Sequence, residues 1–313
     1  MTVLDRFCQG DIRALSRVIS FIEERQPGYR NLLGKLYRRA KGTLRVGMTG
    51  PPGAGKSTLI NGLIQQYIKR DCSVGIVAVD PTSPFTGGAL LGDRVRVDQT
   101  GLGDRVYFRS MASRGASGGL ASSTDNAALA LDAFGFDMIL IETVGIGQVE
   151  LDIINSCDTV VVALVPESGD AVQTMKAGLM EIADIFVVNK SDRPGADRIV
   201  SELEQAMEMR AHDESSWMIP IVSTVAVSGL NMDHLYKTIG EHQFFAKRNG
   251  LFDNHRRKQL REKIFAVLRN RFQREFLDRL AGEIDFTQIV DDIRGGKDDP
   301  YQVSDRLFEK YSS

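Results

Sequence analysis

Cysteine is scarce in this chain of 313 residues: Cys8, Cys72 and Cys157 make an odd set with no C-x-x-C pair, which excludes a disulfide framework and a cysteine-built zinc cluster. Histidine is as sparse, and His212, His234, His242 and His255 are scattered without forming a metal-binding run. No apolar stretch approaches the roughly twenty residues that a membrane-crossing helix needs, and no signal-peptide pattern is present. The expectation is a cytoplasmic protein. A strong charge of either sign is also missing: 39 Lys and Arg against 41 Asp and Glu leave a net charge of −2. That balance argues against nucleic acid or an anionic membrane as a partner. What the chain does have is 42% hydrophobic residues, enough to bury one large core plus extensions.

Strand-like apolar runs near residues 44–49, 74–79, 105–110, 136–141, 159–165, 185–188 and 218–225 alternate with helical stretches. This alternation predicts an α/β fold with a mostly parallel central sheet covered by helices on both faces. Directly after the first run comes Gly50-Pro51-Pro52-Gly53-Ala54-Gly55-Lys56-Ser57-Thr58, a full G-x-x-x-x-G-K-[ST] phosphate loop. A helix starting near Lys56 turns unpaired N–H groups and the positive end of its dipole toward the loop, an arrangement suited to polyphosphate. Lys56 is the expected contact to β- and γ-phosphates, Ser57 the expected Mg²⁺ ligand, and Thr58 an α-phosphate contact.

The base is read farther on, where the run at 185–188 delivers Asn189-Lys190-Ser191-Asp192. An Asp192 carboxylate accepts from guanine N1–H and the 2-amino group, whereas adenine offers an acceptor at N1 and no amine at C2. GTP is therefore expected over ATP. Val225, Ala226 and Val227 fall where a backbone loop behind guanine O6 would lie, although an ordinary buried strand reads equally well there. Between these motifs, Glu142-Thr143-Val144-Gly145-Ile146-Gly147-Gln148 ends an apolar strand. GTPases ordinarily carry D-x-x-G at this place; here Glu142 takes the carboxylate position for Mg²⁺, and Gly145 is placed to sense a γ-phosphate. Asp80 ends the run at 74–79 on the same rim. The hydroxyl-, glycine- and proline-rich stretch after it fits a loop that orders on γ-phosphate and Mg²⁺. Asp80 and Asp93 are candidate metal or water-positioning carboxylates, Arg94 a candidate charge stabiliser, and Gln148 the candidate for orienting the attacking water. A solvated surface pair is an equal reading for Asp93 and Arg94.

These motifs in this order resemble the MeaB/ArgK family, the GTPase chaperones of adenosylcobalamin-dependent acyl-CoA mutases. The likeness runs from the segment Gly10-Asp11-Ile12-Arg13-Ala14-Leu15 through residues 80–94 and 142–148 to Asp299-Pro300-Tyr301. A glutamate in the Glu142 position is typical of the branch of phosphate-loop GTPases that delivers metals and cobalamin to enzymes. The resemblance implies a phosphate-loop NTPase fold, GTP or GDP with Mg²⁺, and an acyl-CoA mutase of the methylmalonyl-CoA mutase type as client. A cobalamin adenosyltransferase is a further candidate partner. The segment from Pro166 to Gly178 corresponds to a further switch in that family; from its own residues it is a loop and a helix start. No D-x-H-x-x-G motif is present, so the cobalamin would belong to the partner.

Three segments are expected: an N-terminal helical extension (1–42), a GTPase domain (43–246) and a C-terminal helical arm (247–313). Within the arm, residues 247–279 read as helix, with Leu260, Ile264, Val267, Leu268, Phe272 and Phe276 at three- and four-residue spacing. The resemblance makes this a dimerisation arm, hence a homodimer; packing on its own core is the plain alternative. Two other functions stay open. One is a nickel- or zinc-delivery GTPase, which the lack of histidine and cysteine clusters disfavours. The other is a nucleotide-dependent kinase or regulator of amino-acid transport.

Overall fold

A computed structural model describes residues 2–80, 103–112, 119–143, 156–167, 178–209 and 216–311. Three helices lead, α1 (Val3–Cys8), α2 (Ile12–Glu23) and α3 (Tyr29–Arg39), followed by β1 (Leu44–Thr49), α4 (Lys56–Ile68) and β2 (Val74–Asp80). Next come β3 (Val106–Ala112), α5 (Gly119–Phe134), β4 (Met138–Thr143), β5 (Thr159–Leu164), α6 (Leu179–Ile182), β6 (Ile185–Asn189) and α7 (Ala196–Glu208). β7 (Ile221–Thr224), α8 (Met232–Arg248), α9 (Leu251–Glu283), α10 (Phe286–Arg294) and α11 (Pro300–Tyr311) follow among the described residues.

The strands form one seven-stranded sheet in the order β3-β2-β4-β1-β5-β6-β7, and every pairing is parallel. Parallel strands need crossovers, and the crossover helices cover both faces, so the central strands are apolar on both sides. β4 and β5 are buried throughout. Within β4 the side chains alternate: Ile139 and Ile141 join the core formed with α2 and α5, while Met138 and Leu140 join the core formed with α4 and α8. Each such Leu or Ile contributes about 1.5–3 kcal/mol of burial. The expected strand at 218–225 shortens to Ile221–Thr224, because Pro220 has no N–H to give a ladder and enters only as the acceptor from Phe186 N at 2.9 Å.

Asp11 starts α2 by accepting from Arg13 N and Ala14 N at 2.8 and 3.2 Å, and Ala14, Leu15, Val18, Ile19 and Ile22 then form its buried stripe. At the amino-terminal edge of the sheet, Arg45 pairs with Asp125 at 2.6 Å. Burial alone would lower the guanidinium pKa, but the charge and hydrogen bond of Asp125, then Asp158, more than reverse this and leave it raised.

Residues Met1–Arg256 form one compact unit and Arg257–Ser313 a second. In the second, the Phe276 and Phe308 rings lie 5.8 Å apart, and Leu280, Val303 and Tyr311 are buried. The helical stretch read from residue 247 is interrupted: α8 ends at Arg248, and Gly250, at φ +69°, separates it from α9.

Candidate functional site

β1 ends at Thr49, and the chain turns at once through the phosphate loop into α4. Gly50 is required there by space, since a Cβ on it would sit 2.0 Å from the Ala163 carbonyl oxygen on β5. Gly55, at φ +81°, is pressed against Asn189, whose Nδ2 would lie 2.4 Å from an added Cβ. As the residue before α4, Gly55 offers no side-chain cap, and the amino end of the helix follows directly on the loop, where such an end suits an anionic ligand. Pro52 and Gly53 are exposed at the loop tip, whereas Ala54 and Lys56 are buried. The Lys56 ammonium donates to the carbonyls of Gly50 at 2.7 Å and Pro51 at 2.9 Å, and so lies inside the loop where phosphate charge would be met. Ser57 and Thr58 follow on the first turn, both half-buried.

Ser57 Oγ donates to Glu142 Oε1 at 2.5 Å. Glu142 is buried near the end of β4, in register with Met48 of β1 and Ala78 of β2, so the sheet itself aims this carboxylate at the phosphate loop. One residue on, Thr143 Oγ1 donates to Thr49 Oγ1 at 3.0 Å and ties the two strand ends together. A hydroxyl and a carboxylate oxygen in direct contact, beside a phosphate cradle, make an oxygen donor set that fits a hard divalent cation. The backbone of Asp80 ends β2 on the same rim, opposite Ala112. Asp93, Arg94, Gly145 and Gln148 lie outside the described residues, as do residues 168–177 of the segment read as a further switch.

The base end of the site is built on Asn189, a buried side chain at the tip of β6. Its Nδ2 donates to the Ala54 carbonyl at 2.9 Å, and its Oδ1 accepts from Thr224 Oγ1 at 3.2 Å and Ala226 N at 3.1 Å. One amide therefore fastens the phosphate loop to the loop after β7. Lys190 takes a left-handed conformation, φ +57°, which turns the chain so that Asp192 presents an exposed carboxylate. In the loop after β7, Val225 bridges to Leu230, Ala226 is buried and Val227 is 89% exposed. Residues 225–227 thus form a loop rather than the buried strand that was the other reading. Three contributors were not read from the sequence. Glu167, after β5, pairs with Arg193 and stands 4.0 Å from Lys190. Thr224 supplies a hydroxyl to Asn189, and Asn231 holds the Ser223 carbonyl at 2.7 Å. None of the three belongs to a recognisable motif; only the parallel register of β5, β6 and β7 brings them to this rim.

A model of the family described as methylmalonyl Co-A mutase-associated GTPase MeaB matches residues 15–280. A GTPase-designated protein of Pyrococcus abyssi is 42% identical over 98% of this chain and 95% of its own length. GTPase ArgK of Escherichia coli K12 is 30% identical over 90% of this chain and 86% of its own. The methylmalonic aciduria type A homolog, mitochondrial, of Mus musculus is 36% identical over 64% of this chain and 49% of its own. Among solved structures, that of a LAO/AO transport system kinase superposes with a TM-score of 0.72 at 24% identity, over 99% of this chain and 97% of that one, a likeness of fold.

Proposed function

The chain belongs to the MeaB family of phosphate-loop GTPases, and from that premise we propose that it is a chaperone whose GTP hydrolysis gates adenosylcobalamin loading of an acyl-CoA mutase. The client is of the methylmalonyl-CoA mutase type, and the chaperone also protects and reactivates it. The observation that carries the mutase half of this reading is the family match over residues 15–280; the mouse relative named for methylmalonic aciduria supports it.

GTP enters with its phosphates over residues 50–58 and its base over Asn189, Lys190 and Asp192. Lys56 neutralises the β- and γ-phosphate charge, and the amino end of α4 receives the phosphate oxygens through backbone N–H groups. Ser57 and Glu142 would hold Mg²⁺, with Asp80 and Asp93 as further carboxylates, and the ion would supply charge neutralisation to the phosphates. Gln148 orients the attacking water, Arg94 offsets developing charge and Gly145 senses the γ-phosphate. Asp192 selects guanine, and the backbone of residues 225–227 lies behind its O6. The exposed apolar stripe of α9 supports pairing with a second copy, and a cobalamin adenosyltransferase is a further docking partner.

The test is hydrolysis of GTP and ATP by the purified chain, with and without an adenosylcobalamin-dependent acyl-CoA mutase, alongside Asp192→Asn. The expected result is turnover of GTP but not ATP, accelerated by the mutase. GTP turnover indifferent to every such mutase would sink the chaperone reading while leaving the GTPase in place. In Asp192→Asn an amide N–H replaces the acceptor, so guanine affinity should fall and xanthine, with a carbonyl at C2, should be preferred.

A further inference from the structure

Two strand ends meet beside the loop assigned to guanine. β5 runs out at Leu164 into Val165, Pro166 and Glu167, and β6 runs out at Asn189 into a turn that carries Lys190 and Arg193. The two strands are parallel neighbours, with Leu164 paired to Val188, so both segments emerge on the same rim. They meet twice. Pro166 Cβ lies 3.9 Å from the position that a Cβ on Gly195 would take, and the Glu167 carboxylate reaches across to two cations of the facing loop. Its oxygens are divided between them: Oε1 contacts Arg193 Nη1, and Oε2 stands 4.0 Å from Lys190 Nζ.

The backbone of the loop is held without Glu167, since Ser191 N donates to the Thr224 carbonyl at 3.0 Å and Arg193 N to the Lys190 carbonyl at 3.0 Å. The Lys190 side chain, 29% exposed, is a different matter: among the described residues, the carboxylate within ion-pair reach of its ammonium is Glu167. Arg193 engages the other oxygen and so turns the carboxylate toward Lys190. A half-exposed ion pair is worth only about 0–1 kcal/mol of stability, which makes it a poor device for holding the fold. Its sign is also wrong for a plain phosphate-binding rim, because a carboxylate there repels an anionic nucleotide. A negative charge in that place, with one oxygen engaged and the other facing the motif lysine, is suited to orienting that lysine.

We propose that Glu167 is a positioning residue for guanine-nucleotide binding: held by Arg193, it fixes the Lys190 ammonium, and Lys190 contacts the bound nucleotide. This rests on residues 189–192 taking the guanine base. Two consequences of the carboxylate then oppose each other. Its charge alone weakens the binding of GDP, whereas its hold on Lys190 strengthens it, so neutralising Glu167 reveals by the sign of the change which of the two dominates.

The experiment is calorimetric titration of the full chain with GDP in the presence of Mg²⁺. Glu167→Gln keeps the size of the side chain and removes its charge, and GDP should bind it about three- to fivefold more weakly, the worth of one half-exposed pair. With the ammonium already removed in Lys190→Met, the further change Glu167→Gln should no longer weaken binding, a dependence that a merely structural role would not produce. Arg193→Ala should reproduce part of the loss. The thermal midpoint of the nucleotide-free protein should be the same in Glu167→Gln as in the wild type. Asp192→Asn is the control for the loop itself: unchanged GDP affinity there would remove the guanine assignment, and this proposal with it. Where Asp192→Asn does weaken GDP binding, three results would overturn the proposal alone. These are tighter or unchanged binding by Glu167→Gln, the same fold loss in the Lys190→Met background, and a lowered thermal midpoint accompanying the loss.

Discussion

Asn189 donates to Ala54 in the phosphate loop while its own carbonyl accepts from Thr224 and Ala226, so Asn189→Ala strands a buried carbonyl and a buried N–H on opposite sides of the site. The nucleotide-free protein should lose about 2 kcal/mol in denaturant unfolding, and GDP affinity by calorimetry should fall about tenfold or more, since both loops that hold the nucleotide are released together. Unchanged affinity would mean that the two loops are held by other contacts. The glycines of the loop separate by the same kind of reasoning. Gly50→Ala forces a Cβ to 2.0 Å from the Ala163 carbonyl and should abolish nucleotide binding. Gly53→Ala, with nothing within 4 Å of its Cβ, carries only the left-handed backbone strain at φ +78°, about 1 kcal/mol, and should still bind GDP. At this scale a motif was enough to place a residue on the rim of the sheet: the positions of Lys56, Ser57, Glu142 and Asn189 were all legible. Glu167 and Asn231 were not, because their roles depend on which strand ends become neighbours, and no local pattern encodes that.

Helices and strands were legible through their periods, and their boundaries failed where backbone chemistry overrode composition, at Pro220 and Gly250. The buried polar contacts that fasten elements to one another were invisible, since each joins residues far apart in sequence. Arg256 is the clearest case. Its guanidinium donates to both carboxylate oxygens of Asp158, at 2.8 and 2.6 Å, and to the Thr43 carbonyl at 2.8 Å, and it stacks on Phe252 at 4.5 Å. This fixes the first turns of α9 to the amino-terminal ends of β1 and β5. Arg256→Ala leaves the nearly fully buried Asp158 carboxylate without its ion pair and should cost about 3 kcal/mol in thermal unfolding, and lysine, which lacks the planar fork, should restore only part of it. At the other end of the same unit, the hydrogen bond from Arg6, then those from Ala14 N and Arg13 N, hold the Asp11 carboxyl below the usual carboxylate range. A folded-state pKa below the unfolded one gives stability that is present above the unfolded value and is lost as pH falls through the folded value. The start of α2 should therefore loosen only in acid, below the ordinary carboxylate range, and Asp11→Asn should flatten that acid limb when amide exchange in α2 is followed against pH.

For the whole molecule, the question is what covers the apolar stripe on α9. Leu260, Ile264, Val267, Leu268 and Phe272 recur at three- and four-residue spacing on a helix of 33 residues, and each is about half exposed. A single-chain helix in water carries such a stripe only at a cost, since every side chain left uncovered forgoes part of its 1.5–3 kcal/mol, roughly, of burial. In the second unit Leu280, Val303 and Tyr311 are buried and the Phe276 and Phe308 rings lie 5.8 Å apart, whereas the five stripe residues are all exposed. On the proposed pairing, a second copy presenting the same stripe would give a self-complementary interface closing as a two-fold dimer. Light scattering on the purified chain should then give twice the 34.6 kDa chain mass. The double variant Ile264→Glu, Phe272→Glu should return it to the mass of one chain, because two carboxylates per copy placed in an apolar seam would have to be desolvated against their symmetry mates. Basal GTP hydrolysis should survive in that variant, since the phosphate loop, Glu142 and Asn189 all lie within residues 1–256. A wild-type chain that runs as a monomer at all concentrations would refute the dimer, and a monomeric variant that has also lost GTP hydrolysis would mean that pairing reaches the nucleotide site.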